Sequence, residues 1–318
     1  MSTQQPKILI IGYGSSAKRF IEILRDLGCA VTLLKHRKDL VVSNSIKTIY
    51  HLKDLQKKFD GAIVSSPTHT HIKYLSILVR QNIPTLVDKP ISDTLSKVKN
   101  IIDEAKKKNL YIQVGFNLRF LPIVHEIKRY LKNILGKPLS ADFYVGQYLP
   151  FWRPLKKYDE TYSASFNQGG GVALDLIHEM DLVLHLFKGI TFKTIYKNKL
   201  SSLHIDTEDY VEFVSVGQPR IRITLDYLNH NKTRRYRIIG EKGSIECDII
   251  GHTFIYTGIN HIQKTVIGER YFDMLSSYEA ELKQFIKNLH NKKNDLNDRN
   301  LGMDALRMTL IARKHVQK

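Results

Sequence analysis

Residues 7–28 constrain this chain more than any other stretch. The apolar run KILII (7–11) stops at Gly12-Tyr13-Gly14-Ser15-Ser16-Ala17, and apolar residues then recur at Phe20, Ile23, Leu24 and Leu27 before Gly28. A short apolar run followed by helical spacing predicts a strand, a glycine turn and a helix. Each small residue has a physical task in that order. Gly12 permits the tight turn, Gly14 lets backbone come close to a pyrophosphate, and Ala17 lets the helix pack against the strand. At the helix start, Ser15 and Ser16 lie where unpaired N–H groups and a partial positive charge favour phosphate. The pattern predicts a doubly wound, dinucleotide-binding Rossmann unit.

The next strand, CAVTLL (29–34), ends in Lys35-His36-Arg37-Lys38. An NAD-selective site usually carries Asp or Glu about 20 residues after the glycines, to accept from the ribose 2′-OH. Bases stand there instead. A guanidinium such as Arg37 grips a 2′-phosphate that a carboxylate would repel. NADP(H) is therefore expected in preference to NAD(H), without the sequence saying which of the four bases makes the contact. Two further strands, AIVSS (62–66) and TLVDKP (85–90), flank a helix over 68–80. In such sheets ligands bind at the carboxyl ends of the strands, which places Ser66, Pro67, His71, Asp88, Lys89 and Pro90 with the glycine turn as cofactor-contacting residues. A strand over 110–117 closes this half.

The 318 residues suffice for two domains, read as 1–118 and 119–318, with C-terminal helices able to pack back on the first. The formal charge of +18 would suggest nucleic acid if it were clustered. The lysines are instead spread along helices, as in SKVKNIIDEAKKKN, and mark solvated faces. No nucleic-acid-binding motif and no membrane-length apolar run occurs, so neither partner is expected. Cys29 and Cys247 lie far apart without metal spacing and read as reduced core residues, which points to a cytoplasmic protein.

Five elements, GYGSSAKR (12–19), SSPTHTH (65–71), VDKPIS (87–92), GFNLRFLP (115–122) and GGGVALDLIHEMDL (169–182), stand in the order and spacing of the Gfo/Idh/MocA oxidoreductases, and SYEAELKQFI (277–286) fits as well. The chain resembles that family over nearly its whole length. The resemblance implies an α/β protein with an N-terminal Rossmann doubly wound parallel sheet and a C-terminal α/β domain with an open, mostly antiparallel sheet. It also implies a homodimer or homotetramer formed through that sheet, a sugar-like small-molecule substrate, and a cis Lys89–Pro90 bond. Two departures stand out. The family's Glu-Lys-Pro appears as Asp88-Lys89-Pro90, and its Asp and His, normally four apart, are three apart here as Asp175 and His178. Both spacings put the pair on one helix face.

On this resemblance His178 is the acid or base for a carbinol proton, since imidazole titrates near neutrality. Lys89 would hydrogen-bond the reacting oxygen, and Asp175 would orient a neighbour or hold a hydroxyl. Asp175, His178 and Asp181 lie on adjacent turns, but no further ligand converges and no metal is expected. Residues 142–168 are rich in aromatic and hydrogen-bonding side chains of the kind that stack on sugar rings. Tyr148, Trp152, Arg153 and Tyr162 are the substrate-contacting candidates, with Arg119 suited to an acidic or phosphorylated group. The YLPFWRP–YSAS combination resembles members accompanying nonulosonic-acid or surface-polysaccharide pathways. The expected activity is NAD(P)-dependent hydride transfer on a sugar or sugar derivative. The alternatives are reduction of a non-sugar carbonyl or imine, and a catalytically silent cofactor-binding sensor acting through a protein partner.

Overall fold

The computed structural model describes residues 5–35, 46–51, 59–261, 263–289, 302–314 and 316. It divides into two compact units, Met1–Phe116 with Tyr278–Met303, and Asn117–Ser277 with Asp304–Lys318.

The first unit begins with β1 (Lys7–Ile11), α1 (Ser15–Asp26), β2 (Ala30–Leu34) and β3 (Lys47–Ile49). It continues with β4 (Gly61–Val64), α2 (His71–Arg80), β5 (Thr85–Asp88), α3 (Val98–Lys107) and β6 (Ile112–Gly115). The six strands form one sheet in the order β3-β2-β1-β4-β5-β6, parallel throughout. Gly61–Val64 is buried at every position, as expected for parallel strands covered on both faces. The strand order reverses between β1 and β4. Ligands of doubly wound sheets bind at such a reversal, and the glycine turn follows β1 directly. Ala17, Phe20, Ile21 and Leu24 of α1 pack with Ile8 and Ile10, and Leu282, Phe285 and Leu289 from late in the chain complete that core.

The second unit contains α4 (Pro122–Asn133), β7 (Pro138–Gly146), α5 (Val172–Asp175), α6 (Ile177–Leu186), β8 (Thr191–Asn198), β9 (Tyr210–Val216), β10 (Arg220–Asp226) and β11 (Thr233–Gly240). Then come β12 (Gly243–Asp248), β13 (Thr253–Gly258), β14 (Gln263–Ile267) and α7 (Glu269–Phe272). Two further helices, α8 (Met274–Asn288) and α9 (Met303–Ala312), each run across a unit boundary. The eight strands lie in the order β14-β13-β12-β11-β7-β10-β9-β8. Only β7 and β10 run parallel, so the sheet is mixed and mostly antiparallel.

Alternation along these strands sorts the side chains by face. Ala141, Phe143 and Val145 of β7 and Ile221 and Ile223 of β10 are buried. The opposite face carries directly opposed charges: Arg222 on Asp142 at 2.8 Å, Arg235 on Asp248 at 2.7 Å and Arg237 on Glu246 at 3.7 Å. Among the described residues no helix is long and apolar enough to cross a membrane.

Candidate active site

In the first unit the turn after β1 meets the end of β4, and His71 links that end to Pro90. Gly12 has a φ of +103°, and a Cβ there would lie 2.4 Å from the Ser65 carbonyl oxygen. The turn after β1 is thus pressed against the end of β4, and only glycine fits. Gly14 differs. Its φ is −84°, and a Cβ would meet nothing within 4 Å. No acidic residue stands in the first turn of α1, and no side chain caps it. Open space beside Gly14, together with the N–H groups of Ser15, Ser16 and Ala17, forms a cradle that suits the pyrophosphate of a dinucleotide.

His71 ties two loops of this unit together. Its Nδ1 lies 2.8 Å from the Pro90 carbonyl and its Nε2 2.7 Å from the Ser66 carbonyl. Burial holds its pKa below the ordinary value, opposed by the Pro90 carbonyl, the charge of Asp88 and the Ser66 carbonyl. At 1% exposure the ring serves the protein. His71, an expected cofactor-contacting residue, thus has both ring nitrogens turned to backbone carbonyls. Thr70 Oγ1 lies 2.7 Å from Ser66 Oγ and also bonds the Pro67 carbonyl. Asp88 accepts from the Lys89 N–H at 2.9 Å and from Ser65 Oγ at 3.2 Å. The Lys89–Pro90 bond is cis, and the half-buried Lys89 directly follows the carboxyl end of β5. Of the four bases after β2, Lys35 is buried with its Nζ 5.8 Å from the Tyr50 ring centre. His36, Arg37 and Lys38 lie outside the described residues.

In the second unit Asp175 and His178 do not share one helix. Leu176, at φ −103° and ψ 24°, breaks the helical path, so Asp175 ends α5 and His178 is the second residue of α6. The expected common helix face is corrected accordingly. Asp175, 6% exposed, accepts a 2.7 Å hydrogen bond from the Tyr227 hydroxyl. Tyr227 is wholly buried, and its pKa is raised well above the phenol value by burial and by the charge of Asp175. The Trp152 ring stands edge-on to Tyr227 at 5.2 Å, and its Nε1–H donates to the Gln147 carbonyl. Arg153 lies over the Tyr162 ring at 5.0 Å and donates to Tyr162 Oη and Ser163 Oγ, each at 3.3 Å. Tyr148 stacks instead on His230 at 4.1 Å, with Phe151 edge-on to it.

Arg119 is committed internally. Its Nε and Nη2 bond both oxygens of Asp181, at 2.8 and 2.5 Å, and the Asp181 side chain is 4% exposed. Arg119, an expected substrate contact, thus forms a bidentate ion pair with Asp181.

Sequence reasoning passed over Tyr227 and Glu208. Glu208 is fully buried, with Oε1 accepting from the Ala173 N–H and Oε2 from the Lys314 N–H. Burial pushes its pKa up to about 7, against the Lys314 and Ala173 N–H bonds and the charge of Arg313. It also explains a glycine: a Cβ on Gly171, whose φ is +108°, would lie 2.4 Å from Glu208 Oε1. Nearby, Arg313 donates to the Phe166 carbonyl and the Val316 N–H to the Asp206 carbonyl. The only signal was an acidic Glu-Asp pair opening a strand-like run, and such pairs are ordinarily solvated.

Comparison with known proteins follows this division. Residues 6–116 match the model of the Gfo/Idh/MocA oxidoreductase family, NAD-binding Rossmann fold, and residues 128–318 match its C-terminal alpha/beta domain. The chain belongs to the Gfo/Idh/MocA family. Within that family it is 24% identical to the myo-inositol 2-dehydrogenase of Thermotoga maritima over 278 residues, covering 81% of this chain and 78% of the relative. It is 27% identical to the rhizopine catabolism protein MocA of Rhizobium meliloti over 146 residues, so 44% of this chain matches less than half (43%) of that relative's length. Among solved structures, levoglucosan dehydrogenase in complex with NADH and levoglucosan superposes with a TM-score of 0.82 over 99% of this chain and all of that one. At 15% identity that likeness establishes the fold.

Proposed function

We propose that this protein is an NAD(P)-dependent oxidoreductase that moves a hydride between nicotinamide and a carbinol or carbonyl carbon of a sugar or sugar derivative. The observation that carries the reading is the turn at the sheet's reversal point, where Gly12 is sterically required while Gly14 fronts open space at an uncapped helix start. The family's inositol dehydrogenases support a polyhydroxylated substrate. Nicotinamide, when bound, supplies the hydride chemistry. The chain's residues handle the rest. Lys89 donates to the reacting oxygen and stabilises its developing charge. His178 takes the hydroxyl proton, or returns it in the reverse direction. Asp175, fixed by Tyr227, holds a substrate hydroxyl, with Trp152, Arg153 and Tyr162 reading the remainder.

NADP(H) is the proposed cofactor, because the bases around Arg37 favour a 2′-phosphate. The sheet face carrying the Arg–Asp and Arg–Glu pairs is the proposed surface for a homodimer or homotetramer. A place in surface-polysaccharide or nonulosonic-acid metabolism agrees with the YLPFWRP segment. Fluorescence titration with NADPH and NADH tests the reading. Tighter NADPH binding is expected; NADH preference would remove the role of Arg37, and binding of neither would remove the enzymatic reading.

A further inference from the structure

We infer that the substrate carries an anionic group, a carboxylate or a phosphate, and that Arg153 is the residue that engages it. The inference rests on the hydride-transfer reading above and narrows its substrate class.

Arginines of the second unit are paired with carboxylates in one place after another. Arg119 holds Asp181 and Arg234 holds the fully buried Glu179, while Arg222, Arg235 and Arg237 oppose acids across the sheet. Arg153 is outside this set, as are the exposed Arg220 and Arg270, which bond the Ser215 carbonyl and the Tyr271 hydroxyl, but Arg153 is half-buried. Among the described residues its guanidinium has no carboxylate partner, only two long bonds to the neutral oxygens of Tyr162 and Ser163. Yet it is not a loose surface side chain. It is half-buried and laid over the Tyr162 ring, so much of its rotamer freedom is already lost.

Its position gives that charge a purpose. Arg153 directly follows Trp152, whose ring packs on Tyr227, and Tyr227 donates to Asp175. A preordered, unneutralised guanidinium therefore stands beside the aromatic wall around the proposed substrate carboxylate Asp175. A planar fork of N–H donors matches a carboxylate or phosphate, and a neutral hydroxyl uses it poorly. No hydrogen bond or ion pair joins Arg153 to Asp175, whose Oδ2 accepts from Tyr227. Arg119, the other arginine suited to an acidic substrate by sequence, is closed off by Asp181. The task falls to Arg153.

The test uses the full chain with NADPH or NADH and matched substrates: glucose, glucuronate and glucose 6-phosphate, extended to N-acetylneuraminate. Wild type is expected to favour an acidic member over glucose in kcat/KM. In R153Q that acid-to-neutral ratio should collapse by roughly ten- to a hundredfold, the range for losing a hydrogen bond to a charged group. R153K, which keeps the charge but not the fork, should fall between. The glucuronate and glucose 6-phosphate arms separate carboxylate from phosphate. Equal use of glucose and the acids, or an unchanged ratio in R153Q, overturns the inference while leaving hydride transfer intact. If no sugar is turned over, the hydride reading fails on this panel, and thermal shift with the same acids decides the inference separately. A stabilisation lost in R153Q upholds it, and no Arg153-dependent stabilisation overturns it. Melting of each variant without ligand checks that it has folded.

Discussion

Tyr227 donates its hydroxyl proton to Asp175 Oδ2 across 2.7 Å, and both side chains are buried. The carboxylate at the end of α5 is therefore aimed from the end of β10, 52 residues further along the chain. Removing that hydroxyl leaves a buried carboxylate short of a donor, at a cost of about 1–3 kcal/mol. Tyr227→Phe should lower urea-unfolding stability by that amount and reduce kcat/KM, because Asp175 loses its orientation. Unchanged stability would mean that water replaces the phenol.

The two glycines of the first turn should separate packing from ligand binding. Gly12→Ala forces a side chain into a positive φ and against the Ser65 carbonyl, costing on the order of 1–3 kcal/mol. Gly14→Ala adds a methyl to open space at an ordinary φ, so stability should stay within about 0.5 kcal/mol. Its affinity for NADPH should nevertheless fall, since the cradle is narrowed. Paired melting and cofactor titration read both effects.

Glu208 makes stability depend on pH in a defined direction. Its pKa in the folded protein is about 7, against 4.5 ordinarily. Between those values the folded state holds a proton that the unfolded state has released. The contribution is present in full below pH 4.5, is lost as pH rises towards 7, and is flat above. The shift corresponds to roughly 3 kcal/mol at most, from about 1.4 kcal/mol for each pKa unit. Glu208→Gln should flatten this part of the profile. It should also lower stability overall, because an amide nitrogen cannot accept from the Lys314 N–H. Chemical denaturation at a series of pH values measures the slope.

Arg119 and Asp181 form a bidentate pair with little access to solvent. Asp181→Asn or Arg119→Ala leaves one buried partner without compensation, and a loss of about 3–5 kcal/mol is expected. The defect should appear in unfolding rather than in a selective rise of KM. A variant of normal stability with weakened substrate binding would return Arg119 to the substrate.

The first unit was legible because its signals are local. The strand, the two glycines and the helix of residues 7–26 lie within one short stretch, and steric rules alone assign their tasks. The run YVEFVSV likewise coincides with β9. Features that depend on register across distance were not legible. Nothing near Arg119 announces Asp181, 62 residues away, and nothing near Tyr227 announces Asp175. The break at Leu176 is hidden as well, since residues 172–186 keep a composition suited to one helix. For His71, spacing gives the neighbourhood and not the partners. Spacing located it beside Ser66 and Pro90 but could not say that both of its nitrogens face inward.

The stitching of Arg313, Lys314 and Val316 onto Phe166, Glu208 and Asp206 has a practical reach. Glu208 also grips the helix that ends in Asp175, so residues 313, 314 and 316 are mechanically continuous with Asp175. An insertion close behind Val316, or a proteolytic nick at Arg313, is for this molecule a modification of the unit that holds Asp175. Preparations that differ only there are different reagents, and their kinetics should be compared as such.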